Sequence, residues 1–306
     1  MGPLEVPHLT LAELKEHALL CIPVVLWLSL FQVAGSLPDH IRPSIDVSTL
    51  PFVERLFFGY ALLYKLFPPV DYLVVAAAIP YLAHFSLPFL FSVYLWKVDG
   101  KPTLYLWYFG VMNLTAVLTQ LLYPTAPPWY NGKYGISPAS YDLPGDPGRL
   151  GRADLLLDFP LFQSLYGASP VVFGSFPSLH AAWPFLLATY TTLMSVPFPT
   201  ILKWCYVLWV WWAAVFTKHH FLVDVLGGAL YVILAVVISR YVLKKDILSH
   251  YLDKKSEEFE KASKEPILPV SAPLSGGDNV ETLPTAFDGS AMKSNQRRQA
   301  AAGIPV

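Results

Sequence analysis

Charge is what this 306-residue sequence has least of. Only 14% of its residues are Asp, Glu, Lys or Arg, against 54% in the hydrophobic set and 15% aromatic. That balance excludes an ordinary water-soluble globular chain of this length and reads as a membrane protein. Of the 43 formal charges, 18 fall in residues 244–306, so the first 243 residues are more apolar still. Neither sign is in excess. A net charge of −1, with no basic stripe carrying interleaved aromatics, excludes nucleic acid as a partner. Cysteine is nearly absent: Cys21 and Cys205 both sit in apolar runs, which excludes a disulfide framework and a cysteine-based zinc site. Residues 1–17 lack the cationic start and short apolar core of a cleavable leader, so the first apolar stretch is expected to stay as an anchor. No repeat of solenoid length is present.

What the chain does have is long apolar runs. A helix needs roughly 20 apolar residues to cross a hydrocarbon core of about 30 Å. Six segments meet that length: 18–36, 70–96, 103–122, 179–197, 198–217 and 221–243. Pro80 and Pro88 make the second a candidate for a kink or a break. Residues 51–68 carry Arg55 and Lys65 between aromatics and read as a helix lying in the membrane interface. The expected fold is all-α, a six-helix transmembrane bundle over 18–243, with both termini on one side. The basic residues Lys97, Lys101, Arg240, Lys244 and Lys245 make that side cytosolic. The 56-residue connection 123–178 then lies on the opposite, luminal side, and loops of that length usually carry function. Residues 1–17 form a cytosolic N-terminus. The tail 244–306, rich in Lys, Glu, Ser, Pro and Gly, is expected to be largely disordered.

Ionisable residues at the ends of spans are expensive and mark function. Two clusters stand out, Phe173-Gly-Ser175-Phe-Pro-Ser178-Leu-His180 at the start of the fourth span and Lys218-His219-His220-Phe-Leu-Val-Asp224 at the start of the sixth. Counting spans puts both on one membrane face. His220 and Asp224 are four residues apart and share a helix face, so the carboxylate can fix one imidazole tautomer and leave the other nitrogen as nucleophile or base. His180 could act as the acid on a departing oxygen. His219 points off that face and is given at most a supporting role. Two His and one Asp can bind zinc, but no cysteine or further carboxylate completes the set, so neither metal nor cofactor is expected. Trp204, Trp209, Trp211 and Trp212 read as lipid-facing or belt residues. His84 and Asp71 read as structural, and the sequon at Asn113 as chance.

These residues resemble the type 2 phosphatidic acid phosphatase superfamily, whose second and third signatures match Pro177-Ser178-Leu179-His180 and His220 to Asp224. Its first signature is missing, and Ala213 and Ala214 replace its Ser-Arg pair. A narrower resemblance, to the catalytic subunits of fungal inositol phosphorylceramide synthase, covers most of residues 70–243. It rests on Ala78-Ile-Pro-Tyr-Leu-Ala-His84, Tyr123-Pro-Thr-Ala-Pro-Pro-Trp-Tyr130, Gly145-Asp-Pro-Gly148, Arg152, Ser169-Pro-Val-Val-Phe-Gly174 and His219 to Gly228. The resemblance implies transfer of phosphoinositol from phosphatidylinositol to ceramide through a phosphohistidine on His220, with Asp224 behind it and His180 as acid and base. It implies a Golgi membrane setting with the site toward the lumen, and a small regulatory membrane subunit as partner. Arg152, Lys218, Ser175 and Ser178 are the candidates for holding the phosphoryl group, and Tyr130, Asp142 and Asp146 for the inositol ring. Two other readings use the same residues: a lipid phosphate phosphatase with water as acceptor, and an ion or proton-coupled transporter. The transporter predicts charges spread through the membrane depth, whereas here they gather at one face.

Overall fold

A computed structural model of the chain describes residues 10–59, 68–99, 102–194, 196 and 198–243. The expected disordered tail at 244–306 lies outside the described residues. Ten α-helices and two short 3-10 turns make up the described part, with no strand among the described residues. The helices are α1 (Leu11–Ala34), α2 (Thr49–Phe58), α3 (Asp71–Asp99), α4 (Thr103–Leu122), α5 (Pro128–Tyr134), α6 (Gly151–Leu157), α7 (Leu161–Gly167), α8 (Leu179–Leu193), α9 (Thr200–Phe216) and α10 (Leu222–Val242).

Among the described residues, four helices are long and apolar enough to cross a membrane, at Leu14–Ala34, Asp71–Val98, Thr103–Leu122 and Leu222–Ser239. The second expected span is one continuous helix despite Pro80 and Pro88. The fourth and fifth expected spans are helices, but of 15 and 17 residues. At 1.5 Å per residue they reach about 22 and 26 Å, short of a full hydrocarbon core. The interfacial segment is helical over 49–58 and amphipathic: Phe52, Leu56 and Phe57 face outward while Leu50 and Glu54 are buried. Its residues 60–67 lie outside the described residues.

The six long helices alternate in direction about the 123–178 connection. Gly35 after α1 packs on Pro170, and Asp71 at the start of α3 pairs with Arg152. Gln120 near the end of α4 donates to the Gly174 carbonyl at 3.0 Å. Ser178 before α8 donates its backbone N–H to the Asp224 carbonyl in α10, and the Thr217 carbonyl after α9 accepts from Arg149. The connection is therefore a cap that ties six helix ends together. A bridge from Thr125 to Gly174 joins its two ends, and one from Thr125 to Asp46 ties it to the segment before α2. Ala126, Trp129, Tyr130 and Phe173 give it a small core of its own.

Packing in the bundle is aromatic and close. Trp27 meets Phe109 and Trp183 edge-on at 5.5 and 6.1 Å. The Trp183 indole N–H donates to the Asn113 side chain at 2.8 Å, which gives that asparagine a structural reason to be there. Trp209 and Trp211 donate to the Ala76 and Ala181 carbonyls, so these two tryptophans hold α9 to α3 and α8 as well as facing outward. Gly110 is where α4 meets α1: a Cβ there would stand 2.5 Å from the Val24 nitrogen. Small residues at helix crossings let membrane helices approach this closely. Gly110→Leu is accordingly expected to lower the thermal midpoint in detergent by several degrees or to abolish the monodisperse peak, because overpacking here displaces backbone at a cost of about 3 kcal/mol or more.

Candidate active site

The two clusters meet at the loop end of the bundle. His180, in the first turn of α8, and His220, two residues before α10, approach to 2.9 Å between His180 Nδ1 and His220 Nε2. His220 Nδ1 lies 3.0 Å from the Ser175 carbonyl. A carbonyl only accepts, so Nδ1 carries the proton and Nε2 presents a lone pair toward His180. Here the structure refines the sequence reading. The carboxylate of Asp224 is 3.6 Å from His220 Nδ1, outside hydrogen-bond range, and acts on the imidazole through space. Its Oδ2 instead accepts from the Ser175 hydroxyl at 2.6 Å and the Phe221 N–H at 2.8 Å. Asp224 thus holds in place the residue whose carbonyl fixes the histidine tautomer, and it is fully buried.

Ser178 is buried and caps α8, accepting from the Ala181 N–H at 3.2 Å. It positions His180 and does not line the cavity beside the histidines. That cavity, about 100 Å³, is bounded by Ser175, His180, His219 and His220 together with Trp129, Asp146 and Tyr166. Below it Tyr81 of α3 stacks on His180 at 4.9 Å, and the His84 ring is 5.0 Å from the same imidazole. His84 bonds to the Tyr81 carbonyl at 2.5 Å, which accounts for its place in the span.

The other candidate residues separate. Asp146 lines the cavity, pairs with Lys133 and accepts from the Gly148 N–H. Arg152 is exposed, bonded to Asp71 at 2.6 Å, and is not part of the cavity wall. Tyr130 is buried in the cap's own core, its hydroxyl donating to the Ser137 carbonyl. Asp142 is exposed and bonded to Ser140. Lys218 has a left-handed backbone, and its carbonyl accepts from the Trp129 N–H. Burial, with Arg149 nearby, pushes its ammonium below the usual lysine range. Neither Lys nor Arg is among the described residues that bound the cavity. Arg152→Ala is therefore expected to leave kcat/KM for phosphate-containing lipids within about threefold of wild type, as for an exposed ion pair. A loss of a hundredfold would instead place the guanidinium on the substrate.

Ala213 and Ala214 are fully buried against α3 and α8, and their carbonyls accept from the Thr217 and His220 N–H groups. No space exists there for an arginine side chain. Sequence reasoning gave His219 at most a supporting role, and the structure places it on the cavity wall. It is 4% exposed, bonds through Nδ1 to Thr217 at 3.0 Å, and stacks on Tyr166 with ring centroids 4.1 Å apart. Being out of helical register with Asp224 says nothing about a residue in the turn before the helix, and Tyr166 carries no local signal at all.

The fold and site define a multi-pass membrane protein with a histidine pair, His220 buried and His180 half-buried, backed by a carboxylate, under a cap. The family model of the PAP2 superfamily matches residues 50–238. The chain is 37% identical over 226 residues to the inositol phosphorylceramide synthase catalytic subunit of Schizosaccharomyces pombe, covering 72% of this chain and 53% of that one. It is 32% identical over 281 residues to the inositol phosphorylceramide synthase of Candida albicans, covering 89% and 59%. With the Saccharomyces cerevisiae catalytic subunit the identity is 31% over 296 residues, covering 88% and 72%. The chain belongs to the PAP2 superfamily and, within it, to the inositol phosphorylceramide synthase family. It spans a little over half the length of the first two of these relatives. No solved structure matches the chain.

Proposed function

We propose that this chain transfers phosphoinositol from phosphatidylinositol to the primary hydroxyl of ceramide, releasing diacylglycerol. The observation that carries the chemistry is the His220 imidazole, its Nδ1 proton held by the Ser175 carbonyl and its Nε2 aimed at His180. The names of the relatives supply the substrates.

In this reading the phosphoryl group enters between the two rings and replaces their mutual hydrogen bond. His220 Nε2 attacks phosphorus, an N–P bond forms, and the P–O bond to diacylglycerol breaks as His180 gives that oxygen its proton. Asp224 stabilises the positive charge that develops on His220. In the second half His180 takes the proton of the ceramide hydroxyl, whose oxygen displaces the histidine from phosphorus. The start of α8 at the cavity favours negative charge there through the helix dipole. The bundle crosses the membrane six times, with α8 and α9 as its short members, and its cap faces the lumen of the Golgi. A small regulatory membrane subunit is a partner. Ser175 serves as a fixed support, Asp146 as a wall of the headgroup site, and no metal takes part.

The test uses purified protein in mixed micelles with labelled ceramide, phosphatidylinositol and a chelator. Conversion of ceramide to a more polar, inositol-containing lipid is the expected result. Untouched ceramide, with phosphate released from a lipid phosphate monoester, would replace this reading with that of a phosphatase.

A further inference from the structure

The phosphoryl chemistry uses His180 and His220 and leaves unexplained why two further polar groups are buried beside them. The Tyr166 hydroxyl and His219 Nε2 are both shielded from solvent and have no hydrogen-bond partner. The backbone of Asp146 and Pro147 approaches the His219 ring, but no bond of proper geometry reaches Nε2. A buried polar group without a partner costs about 1–3 kcal/mol, so two at one cavity point to an occupant that satisfies them. The arrangement is built. The Tyr166 and His219 rings stack within 17° of parallel, and the His219 and His180 planes differ by 13° at 6.4 Å. Both residues bound the same cavity as the histidine pair.

We propose that Tyr166 and His219 form the binding site for the inositol ring, the tyrosine hydroxyl and His219 Nε2 each bonding one ring hydroxyl. This assignment rests on the proposed phosphoinositol transfer and names the part of the site that selects the headgroup. Charge supports a polyol over an ionic headgroup. Burial pushes His219 down to about 3 and raises the Tyr166 phenol, so both are neutral at physiological pH. Asp146, fixed by Lys133, adds an acceptor on the same wall. Trp129 gives an aromatic surface of the kind that packs against the C–H faces of a ring bearing hydroxyls around its edge. Tyr166 stands at the end of α7 and His219 in the turn before α10. The ring site therefore exists only when the cap is seated on the bundle.

The decisive measurement is the affinity of short-chain phosphatidylinositol relative to short-chain phosphatidylglycerol, by titration calorimetry of the full chain in detergent. Tyr166→Phe keeps the stacked ring and removes only the hydroxyl. His219→Leu removes the nitrogen, and His219→Gln restores a hydrogen-bonding group at similar reach. Tyr166→Phe and His219→Leu are each expected to lower the inositol preference about fivefold, one neutral hydrogen bond's net value, with partial recovery in His219→Gln. Equal change for both lipids, or none, would overturn the ring site, since a merely structural role weakens both alike. Transfer to ceramide, followed in the same wild-type sample, reports separately on the proposed reaction. Its absence would remove that reaction while the affinity ratio still decides the ring site.

Discussion

Replacing His220 with alanine is expected to abolish transfer, a loss on the order of 10⁴-fold or more, because it removes the nitrogen that faces His180 with its tautomer set by a backbone carbonyl. The His220 Nδ1 proton is committed to the Ser175 carbonyl, which leaves Nε2 unprotonated at the point where it faces His180. The companion variant separates the two roles. His180→Gln is expected to lose about 10² to 10⁴ in turnover with phosphatidylinositol, the usual contribution of a positioned acid. In the first step, read as the rate of the initial nitrophenolate burst, that loss should largely vanish when the donor is the 4-nitrophenyl ester of inositol phosphate, since nitrophenolate leaves without a proton, whereas the second step still lacks its base. His220→Ala gains nothing from the better leaving group. Nitrophenolate release, followed by absorbance, checks both, and an acid-labile phosphoinositol label should appear on His180→Gln protein and not on His220→Ala. Rescue of His220→Ala instead would move the nucleophile elsewhere.

Asp224 carries the second large effect, and its two substitutions should differ in kind. Alanine removes the acceptor of both the Ser175 hydroxyl and the Phe221 N–H. Each becomes a buried donor without a partner, at about 1–3 kcal/mol apiece, so the thermal midpoint falls along with activity. The Ser175 carbonyl loses its support at the same time, and the His220 tautomer is no longer imposed. Asparagine can still accept through its amide oxygen but carries no charge to stabilise the imidazolium 3.6 Å away. The expected result is a drop in kcat of about 10²-fold or more for Asp224→Asn with a midpoint near wild type, and a larger drop for Asp224→Ala with a lowered midpoint. Turnover and thermal unfolding measured on the same preparations decide it. Full activity in the asparagine variant would reduce Asp224 to a scaffold.

Much of the architecture was legible in one dimension because membrane insertion reads composition directly. The runs at 103–122 and 221–243 are helices at Thr103–Leu122 and Leu222–Val242, within one residue of the expected ends. The fourth and fifth runs, 179–197 and 198–217, overreach because hydropathy does not register where a helix stops: α8 ends at Leu193 and α9 starts at Thr200, after Pro199. Tryptophan positions were read as a belt, but hydropathy cannot see that the Trp209 and Trp211 N–H groups have carbonyl partners on other helices.

The site divides along the same line. Sequence alone determined that a membrane protein carries His180, His220 and Asp224 at the starts of two apolar segments, because hydrophobic length marks the segments that can cross a membrane. Only the tertiary structure decided what each of them touches. The Ser175 carbonyl, 45 residues from His220, holds the tautomer. Tyr166 and His219 join the cavity, while Tyr130, Asp142 and Arg152 are taken up by partners elsewhere in the cap and bundle. The reason is physical. Periodicity and hydropathy report how a segment meets its solvent, whereas hydrogen bonds between segments depend on the path of an irregular 56-residue cap, which no local pattern encodes.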